Sequence, residues 1–408
     1  MRIGMITDQY YPQVSGVVTS ITMLYDGLTA MGHEVFIFTS YDDKKYPNVP
    51  ELEGKNIINI KGISYPWKVV KDYKWTLTKK KYAKLIKEYN LDIMHVHTEF
   101  NMMKIAIKAA KILKIPVIHT FHTNWKEYLS NLFPLINKLF PRILLRIGSR
   151  IVIKPIYYHS DFEIYPTKKI ISVLPSYYLR KKAIEQKPYE IIPTGLELYR
   201  FDKNRFKRDD ILKIKEKYNL APDEFIYTYI GRTSPEKNIP LIIKAFSKAF
   251  STNPKVKLLI VGGGAELKEL QEEAKKTECS DRIVFTGQIS QAEVPLYYQV
   301  SDVFLNASKT ETQGLTYIEA LSSSVPIVCQ KDECLDGVLI DRKNGLFFDG
   351  EEDFINKLIE IYNNKSLYNT LKENAKDSVK EYTKERYCEN VLKAYQKTIK
   401  LYKEKQKN

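Results

Sequence analysis

The chain has 408 residues, enough for two or three domains, and its 44% apolar content is ample for large cores. It has no run of about twenty apolar residues, which excludes a long apolar membrane-spanning helix. The formal net charge of +15 is uneven: residues 1–195 hold 29 Lys+Arg against 16 Asp+Glu and residues 196–408 hold 35 against 33, so an anionic partner, membrane or nucleic acid, would meet the first half.

In chain order, the first half alternates strand and helix signals. Ile3–Ile6 is a short apolar strand, where a secretory leader would need a longer apolar run. Val18 to Met31 reads as a helix ended by Gly32, and Glu34–Thr39 as the second strand. Ile93–Val96 and Pro116–Thr120 read as buried strands on either side of a helical Met102–Leu113. The second half repeats the rhythm. Phe225–Ile230 leads into Gly231, Pro240 opens a helix to Phe250, and Lys257–Val261 ends in Gly262-Gly263-Gly264. Ile283–Phe285, Val303–Leu305 and Pro326–Val328 are further strands, and the chain reads as helical from residue 353 or so to the end.

Such βαβ alternation predicts an α/β fold of two Rossmann-like, doubly wound parallel-sheet domains. The join falls near Ile191-Ile-Pro-Thr-Gly195, giving domains 1–195 and 196–384, with a last helix at about 385–408 packing back on the first. A ligand would sit in the crevice outside the carboxyl ends of the strands. The four cysteines, Cys279, Cys329, Cys334 and Cys388, form no Cys-x-x-Cys pair, so neither a zinc site nor a disulfide framework is indicated, and a reduced, cytoplasmic protein is the simplest view.

The densest chemistry lies in Glu311-Thr-Gln-Gly-Leu-Thr-Tyr-Ile-Glu319, where two carboxylates flank a tight turn entering a helix. Backbone N–H groups at Gly314, Leu315 and Thr316 would suit a phosphate, with one carboxylate toward each end of the ligand. That geometry suits a nucleotide-sugar. Gly231-Arg-Thr-Ser-Pro-Glu-Lys-Asn238 lies between a strand and a helix, so Arg232 and Lys237 would meet a diphosphate from one loop. Gly16, in Pro12-Gln-Val-Ser-Gly-Val-Val18, would let backbone approach a ligand, but no Gly-x-Gly-x-x-Gly fingerprint signals a nicotinamide cofactor. His119 and His122 close a buried strand, His122 being placed to hydrogen-bond a bound sugar and His119 reading as a buried structural histidine. His95 and His97 alternate on another strand, and no third ligand completes an evident metal site.

In order, Pro-x-x-Ser-Gly-Val, Thr-Phe-His, Ile-Pro-Thr-Gly, Gly-Arg-x-x-x-x-Lys and Glu-x7-Glu resemble retaining glycosyltransferase family four, with its two-domain GT-B fold. Within it the Thr-Glu-Thr-Gln-Gly-Leu-Thr-Tyr-Ile-Glu-Ala and Ser-Gly-Val-Val-Thr-Ser stretches are most similar to bacterial 1,2-diacylglycerol 3-alpha-glucosyltransferases. The resemblance implies a UDP-glucose donor, a diacylglycerol acceptor and no cofactor or divalent metal. It implies catalytic roles for Glu311 at the donor sugar and His122 near it, and ribose contact by Glu319. It also implies a diphosphate clamp of Arg232 and Lys237, amides at Gly314, Leu315 and Thr316, and a closing loop at Gly16. Ser15-Gly16 replaces the commoner Gly-Gly, and Glu197 stands where many relatives have Asp. A transferase adding a second sugar to a glycolipid or acting on a wall polysaccharide is the alternative reading.

The acceptor is argued from the basic half. Residues 67–89 carry eight Lys against two acids, with Trp75, Tyr82, Leu85 and Tyr89 at near-helical spacing. A basic amphipathic helix including Trp67, Lys74, Trp75, Lys79, Lys80 and Lys81 would bind an anionic bilayer surface, although a helix packed on the sheet with a solvated Lys face reads the same way. Between Trp125 and Tyr158, Arg142, Arg146 and Arg150 recur at steps of four beside an apolar face, with Pro141 and Pro155 bending the stretch. The expected partners are a nucleotide-sugar, diacylglycerol and anionic lipids. The expected location is the cytoplasmic face of the cell membrane, held peripherally. No recognised nucleic-acid motif is present, so nucleic acid is not an expected partner.

Overall fold

The computed structural model describes residues 1–40, 49–64, 74–75, 79–126, 129 and 138–407. The chain divides into two compact units, Met1–Leu196 with Lys384–Asn408, and Glu197–Thr383.

The first unit carries a seven-stranded sheet in the order β3-β2-β1-β6-β7-β8-β9, parallel throughout. Its strands are β1 (Arg2–Ile6), β2 (Glu34–Thr39), β3 (Ile57–Asn59), β6 (Ile93–Val96), β7 (Val117–Thr120), β8 (Phe162–Tyr165) and β9 (Tyr189–Ile191). A small antiparallel ribbon joins β4 (Ile63–Ser64) to β5 (Lys74–Trp75). β1, β6, β7 and β8 are buried almost throughout, as strands covered on both faces are, and the polar His95, His119, Thr120 and Glu163 are buried among their apolar residues. One face is covered by the Gly16–Ala30 helix and by the C-terminal helix Lys384–Lys407, which sinks Tyr387, Cys388, Val391, Ala394 and Tyr395 into the core. The two helices cross closely: a Cβ on Gly27 would lie 2.3 Å from the Cys388 sulfur. The other face packs against the Lys79–Lys87 and Asn101–Leu113 helices.

The second unit carries a six-stranded parallel sheet in the order β12-β11-β10-β13-β14-β15. These are β10 (Phe225–Ile230), β11 (Val256–Val261), β12 (Ile283–Gly287), β13 (Val303–Asn306), β14 (Ile327–Gln330) and β15 (Gly345–Phe348). In each sheet the strand order reverses beside one strand, at β1/β6 in the first and β10/β13 in the second. Such a reversal splays the flanking loops and leaves a crevice at the strands' carboxyl ends.

Two expectations need correction. Trp75 does not share a helix with Tyr82 and Tyr89, because it lies in β5, before the Lys79–Lys87 helix begins. Tyr82 is buried against the sheet core, with Leu85 and Tyr89 packed beside it, so the apolar side of that helix faces the protein. Its amphipathicity is that of a helix packed on a sheet. The last stretch is three helices, Glu351–Asn363, Lys365–Ala375 and Lys384–Lys407, separated by short breaks.

Candidate active site

The β10/β13 reversal brings together most of the residues expected to hold a nucleotide-sugar. The chain leaves β10 at Gly231, whose N–H donates to the Val261 carbonyl of β11 at 3.0 Å. The neighbouring loop approaches so closely that a Cβ on Gly262 would lie 1.9 Å from the Gly231 carbonyl oxygen, and Gly262 has φ +132°. Only glycine fits there. Tyr229 Oη donates to the Arg232 carbonyl at 2.8 Å, holding the start of the loop from beneath. Arg232 itself is largely exposed, with Glu236 3.6 Å from its guanidinium. The loop then makes a short 3-10 turn at Pro235–Lys237 and enters the Ile239–Ala249 helix through Asn238, in the left-handed conformation at φ 51°.

Lys237 turns to the other side of the reversal, where its Nζ lies 2.6 Å from Glu311 Oε1. Both side chains are mostly buried, so this pair is screened less than the surface pairs. Gly314 follows at φ +72° and caps the Leu315–Ser322 helix, and a Cβ there would overlap the Tyr317 ring at 2.3 Å. Gly314, Leu315 and Thr316 therefore stand where a helix offers unpaired N–H groups and the positive end of its dipole. One turn further in, the Glu319 carboxyl is enclosed. Burial raises it to about 7, against the lowering influence of Tyr298 and the Arg200 charge. Tyr298 Oη, from the Val294–Val300 helix, donates to Glu319 Oε2 at 3.0 Å and also lies 3.2 Å from the Thr316 carbonyl.

The first unit holds a different chemistry at its own strand ends. Asp8, just past β1, is buried, accepting from Thr98 Oγ1 at 2.8 Å and from the Met102 N–H at 3.0 Å. Gly16 opens the Gly16–Ala30 helix, where Ser15 Oγ caps the Val18 N–H. β6 and β7 lie side by side, and their ends gather four histidines. His119 is buried with Nδ1 2.7 Å from Glu163 and Nε2 3.3 Å from Glu99. Burial alone would lower it, but the two carboxylates, Glu163 foremost, raise it to about 9, so it is an imidazolium at neutral pH. His122 stands 3.1 Å from His97 and is lowered to about 3 by burial and by the His119 charge.

Comparison with known proteins fits this geometry. Residues 14–200 match the family described as Glycosyltransferase Family 4, and residues 210–378 match Glycosyl transferases group 1. The alpha-monoglucosyldiacylglycerol synthase of Acholeplasma laidlawii is 35% identical over 396 residues, 97% of this chain and 96% of the relative. The chain belongs to glycosyltransferase family 4. The alpha-monoglucosyldiacylglycerol synthase of Streptococcus pneumoniae is also 35% identical, over 88% of this chain and 78% of its own. Among solved structures, Anabaena HepE in complex with UDP and glucose has a TM-score of 0.74 at 15% identity, covering 97% of this chain and 100% of that one. WaaG, a glycosyltransferase involved in lipopolysaccharide biosynthesis, has a TM-score of 0.71 at 14% identity over 96% and 99% of the two chains. The family 4 chain is thus a glycosyltransferase with the GT-B fold.

The basic segments of this family 4 enzyme are unequal. Trp67 lies outside the described residues. Lys74 joins Trp75 in β5, and Lys79, Lys80 and Lys81 open the Lys79–Lys87 helix, Lys81 being exposed. The second segment presents an open apolar face. The Pro141–Gly148 helix continues through a π-helical turn, Ser149–Ile153, into the Lys154–His159 helix, with Pro141 and Pro155 each in a first turn. Ile143, Ile147 and Ile151 are each more than half exposed, as are Leu139 and Phe140. Arg142, Arg146 and Arg150 stand exposed one position before each isoleucine. No helix among the described residues is long and apolar enough to cross a membrane.

Sequence reasoning passed over Tyr298, Asp8 and the His97–His122 pairing. Tyr298 sits in the apolar-looking run Val294-Pro-Leu-Tyr-Tyr-Gln-Val and carries no local signal. The histidine pairing depends on which strands are neighbours.

Proposed function

We propose that this enzyme works at a membrane surface as a retaining transferase. It moves glucose from UDP-glucose to the 3-hydroxyl of 1,2-diacylglycerol and forms alpha-monoglucosyldiacylglycerol. The observation that carries this reading is the 35% identity to the Acholeplasma laidlawii synthase over nearly the whole of both chains. The Arg232, Lys237 and Glu311 grouping at the β10/β13 reversal is the physical support.

In this reading the second unit takes the donor. The diphosphate lies on the Gly314, Leu315 and Thr316 amides, with Arg232 and Lys237 balancing its charge, and Glu319 accepts from the ribose hydroxyls. Glu311, already beside Lys237, holds hydroxyls of the sugar next to the phosphate. As the glycosidic bond breaks, positive charge grows on the sugar and negative charge on the departing diphosphate, which the two cations stabilise more than the bound substrate. The acceptor hydroxyl attacks from the face the diphosphate leaves, and a phosphate oxygen takes its proton. No divalent metal is needed in this reading. The Arg142, Arg146, Arg150 ridge and its isoleucines rest on anionic lipid, with the Lys79–Lys81 cluster adding charge. In this reading the enzyme sits peripherally on the inner face of the cell membrane, where anionic lipid is concentrated.

The test is incubation of the purified enzyme with labelled UDP-glucose, UDP-galactose and GDP-mannose, each with diacylglycerol vesicles, with and without EDTA. An alpha-linked monoglucosyl lipid from UDP-glucose, unaffected by EDTA, is expected. Transfer only to glycosylated lipid or to polysaccharide would overturn the acceptor, and transfer only from another nucleotide-sugar would overturn the donor. Glu311→Ala is expected to lower kcat by at least about 100-fold, the scale on which one preorganised polar group at a reacting centre acts.

A further inference from the structure

From Arg142 to His159 exposure repeats at steps of four residues. Arg142–Ile143, Arg146–Ile147, Arg150–Ile151 and Tyr158–His159 are exposed, while Gly148–Ser149, Val152–Ile153 and Ile156–Tyr157 are buried between them. An α-helix turns by about 100° per residue, so each step of four overshoots a full turn by about 40°. Carried from Arg142 to Tyr158, that drift comes to about 160°, which would put the last exposed pair on the side that faces the core.

The drift is cancelled at Ser149–Ile153, where the turn is π-helical and the Lys154 N–H donates to the Ser149 carbonyl, five residues back. The wider turn takes up one more residue, which rotates the second half of the segment back into line with the first. The cause lies in the sequence. Pro155 has no N–H to give, and its ring pushes away the carbonyl of Ile151, four residues back, which opens the turn. Gly148 lets the segment sit against Leu129, since a Cβ there would lie 2.2 Å from Leu129 Cδ1. Both ends are tied to one neighbouring turn: Tyr178 Oη donates to the Arg142 carbonyl at 3.4 Å, and the Arg180 N–H donates to Tyr158 Oη at 3.0 Å.

The charge of the segment has one sign. Residues 129–160 carry Lys138, Arg142, Arg146, Arg150 and Lys154 and no Asp or Glu. A second copy of this face would bring like charges together, whereas lipid phosphates neutralise them. We infer that the π turn phases this segment for an anionic bilayer, holding Ile143, Ile147 and Ile151 in one line and Arg142, Arg146 and Arg150 in the line beside it. The segment then lies lengthwise in the interface, with its isoleucines immersed together along about 12 Å and its arginines reaching sideways to the phosphates. The inference rests on the membrane contact of the proposed function and adds the geometry of that contact. A stripe that wound around the helix would immerse one isoleucine and lift the others out.

The four native cysteines are buried, so Ile143→Cys, Ile147→Cys and Ile151→Cys can each carry a single spin label. Label depth is read in the full-length protein from relaxation by oxygen and by a nickel chelate. The vesicles are phosphatidylglycerol mixed with phosphatidylcholine, or phosphatidylcholine alone. The three labels are expected at one depth in the anionic vesicles and in water with the neutral ones at the same lipid concentration. An unphased helix would carry position 151 about 80° round from position 143 and lift it by about 4 Å, and a gradient of that size would overturn the inference. Equal immersion in both kinds of vesicle would overturn the anionic partner. Labels left in water, or immobilised without lipid by a protein partner, would overturn the contact itself. Deleting Ser149 removes the extra residue and turns the preceding helix by about 100° relative to the rest. It is expected to withdraw the labels at 143 and 147 relative to 151 and to weaken sedimentation with anionic vesicles by about tenfold. Unchanged depths in a folded deletion protein would overturn the role of the turn. Should that protein not fold, the depths of the three labelled proteins still decide. None of these readings uses turnover, so immersion at one depth without transfer to diacylglycerol would overturn the proposed acceptor alone, and transfer with all three labels in water would overturn this inference alone.

Discussion

Glu319 is held near the middle of its titration at neutral pH, raised to about 7 with burial the main cause. In the proposed ribose contact an ionised carboxylate accepts more strongly than a protonated one, so UDP affinity is expected to fall by up to about tenfold as pH drops from 8 to 6, measured by calorimetry. Glu319→Gln should flatten that profile. Tyr298→Phe removes the hydrogen bond at 3.0 Å that favours the ionised form, so the fall should begin at higher pH while kcat at saturating donor changes little. Stability runs with the same sign. The folded state binds this proton more tightly than the unfolded state, so the contribution of Glu319 is fully present below its ordinary value of 4.5 and is lost as pH rises through about 7. His119 sets a second window. Its raised value of about 9 means that its contribution is complete below 6.5 and lost as pH climbs through 9. Thermal melts of wild type should therefore drop from pH 7 to pH 10, and His119→Gln should drop less over that range.

At the scale of elements, the loops and helix faces have separable tasks. Gly262→Ala would drive a methyl carbon into the Gly231 carbonyl, and the backbones must part to admit it. Donor KM is expected to rise at least tenfold as the Arg232–Lys237 loop shifts. Replacing Arg142, Arg146 and Arg150 together by Ala should weaken sedimentation with anionic vesicles by about 100-fold, at ~1 kcal/mol per charge, and leave that with neutral vesicles nearly unchanged. Ile147→Glu should weaken both. The central strands were legible in the sequence because parallel strands covered on both faces are continuous apolar runs, as in Phe225–Ile230 and Glu34–Thr39. β3, β8, β9 and β15 were not read, being runs of three or four residues that include a polar residue or a glycine, namely Asn59, Glu163, Glu190 and Gly345. Trp75 was misplaced because aromatic spacing across residues 67–89 imitates a helix that the β4–β5 ribbon interrupts. The residues proposed for the donor side were visible as motifs. Their support was not, since Tyr298 and His97 matter only through neighbours that the folded sheets bring to them.

At the scale of the molecule, the first sheet is finished by the far end of the chain. Tyr395 is wholly buried and reaches His95, and Tyr387 is buried beside Ser20, whose hydroxyl lies 2.7 Å from its own. Tyr395→Ala should cost about 3–5 kcal/mol in denaturant unfolding of the first unit, the range for emptying a core aromatic site. It should also release His95 from its contact with Tyr395 Oη.

That return of the C-terminal helix sets an order in time. A ribosome adding about 5–20 residues per second must make the whole second unit, Glu197–Thr383, before the helix appears, a wait of roughly ten to forty seconds. Through that interval the nascent first unit shows water the apolar groove that Tyr387, Val391 and Tyr395 will fill. The second unit has all its strands and can fold meanwhile. The half that would meet lipid is completed last, so a chaperone holding the nascent chain has a defined surface to cover and a defined moment to let go.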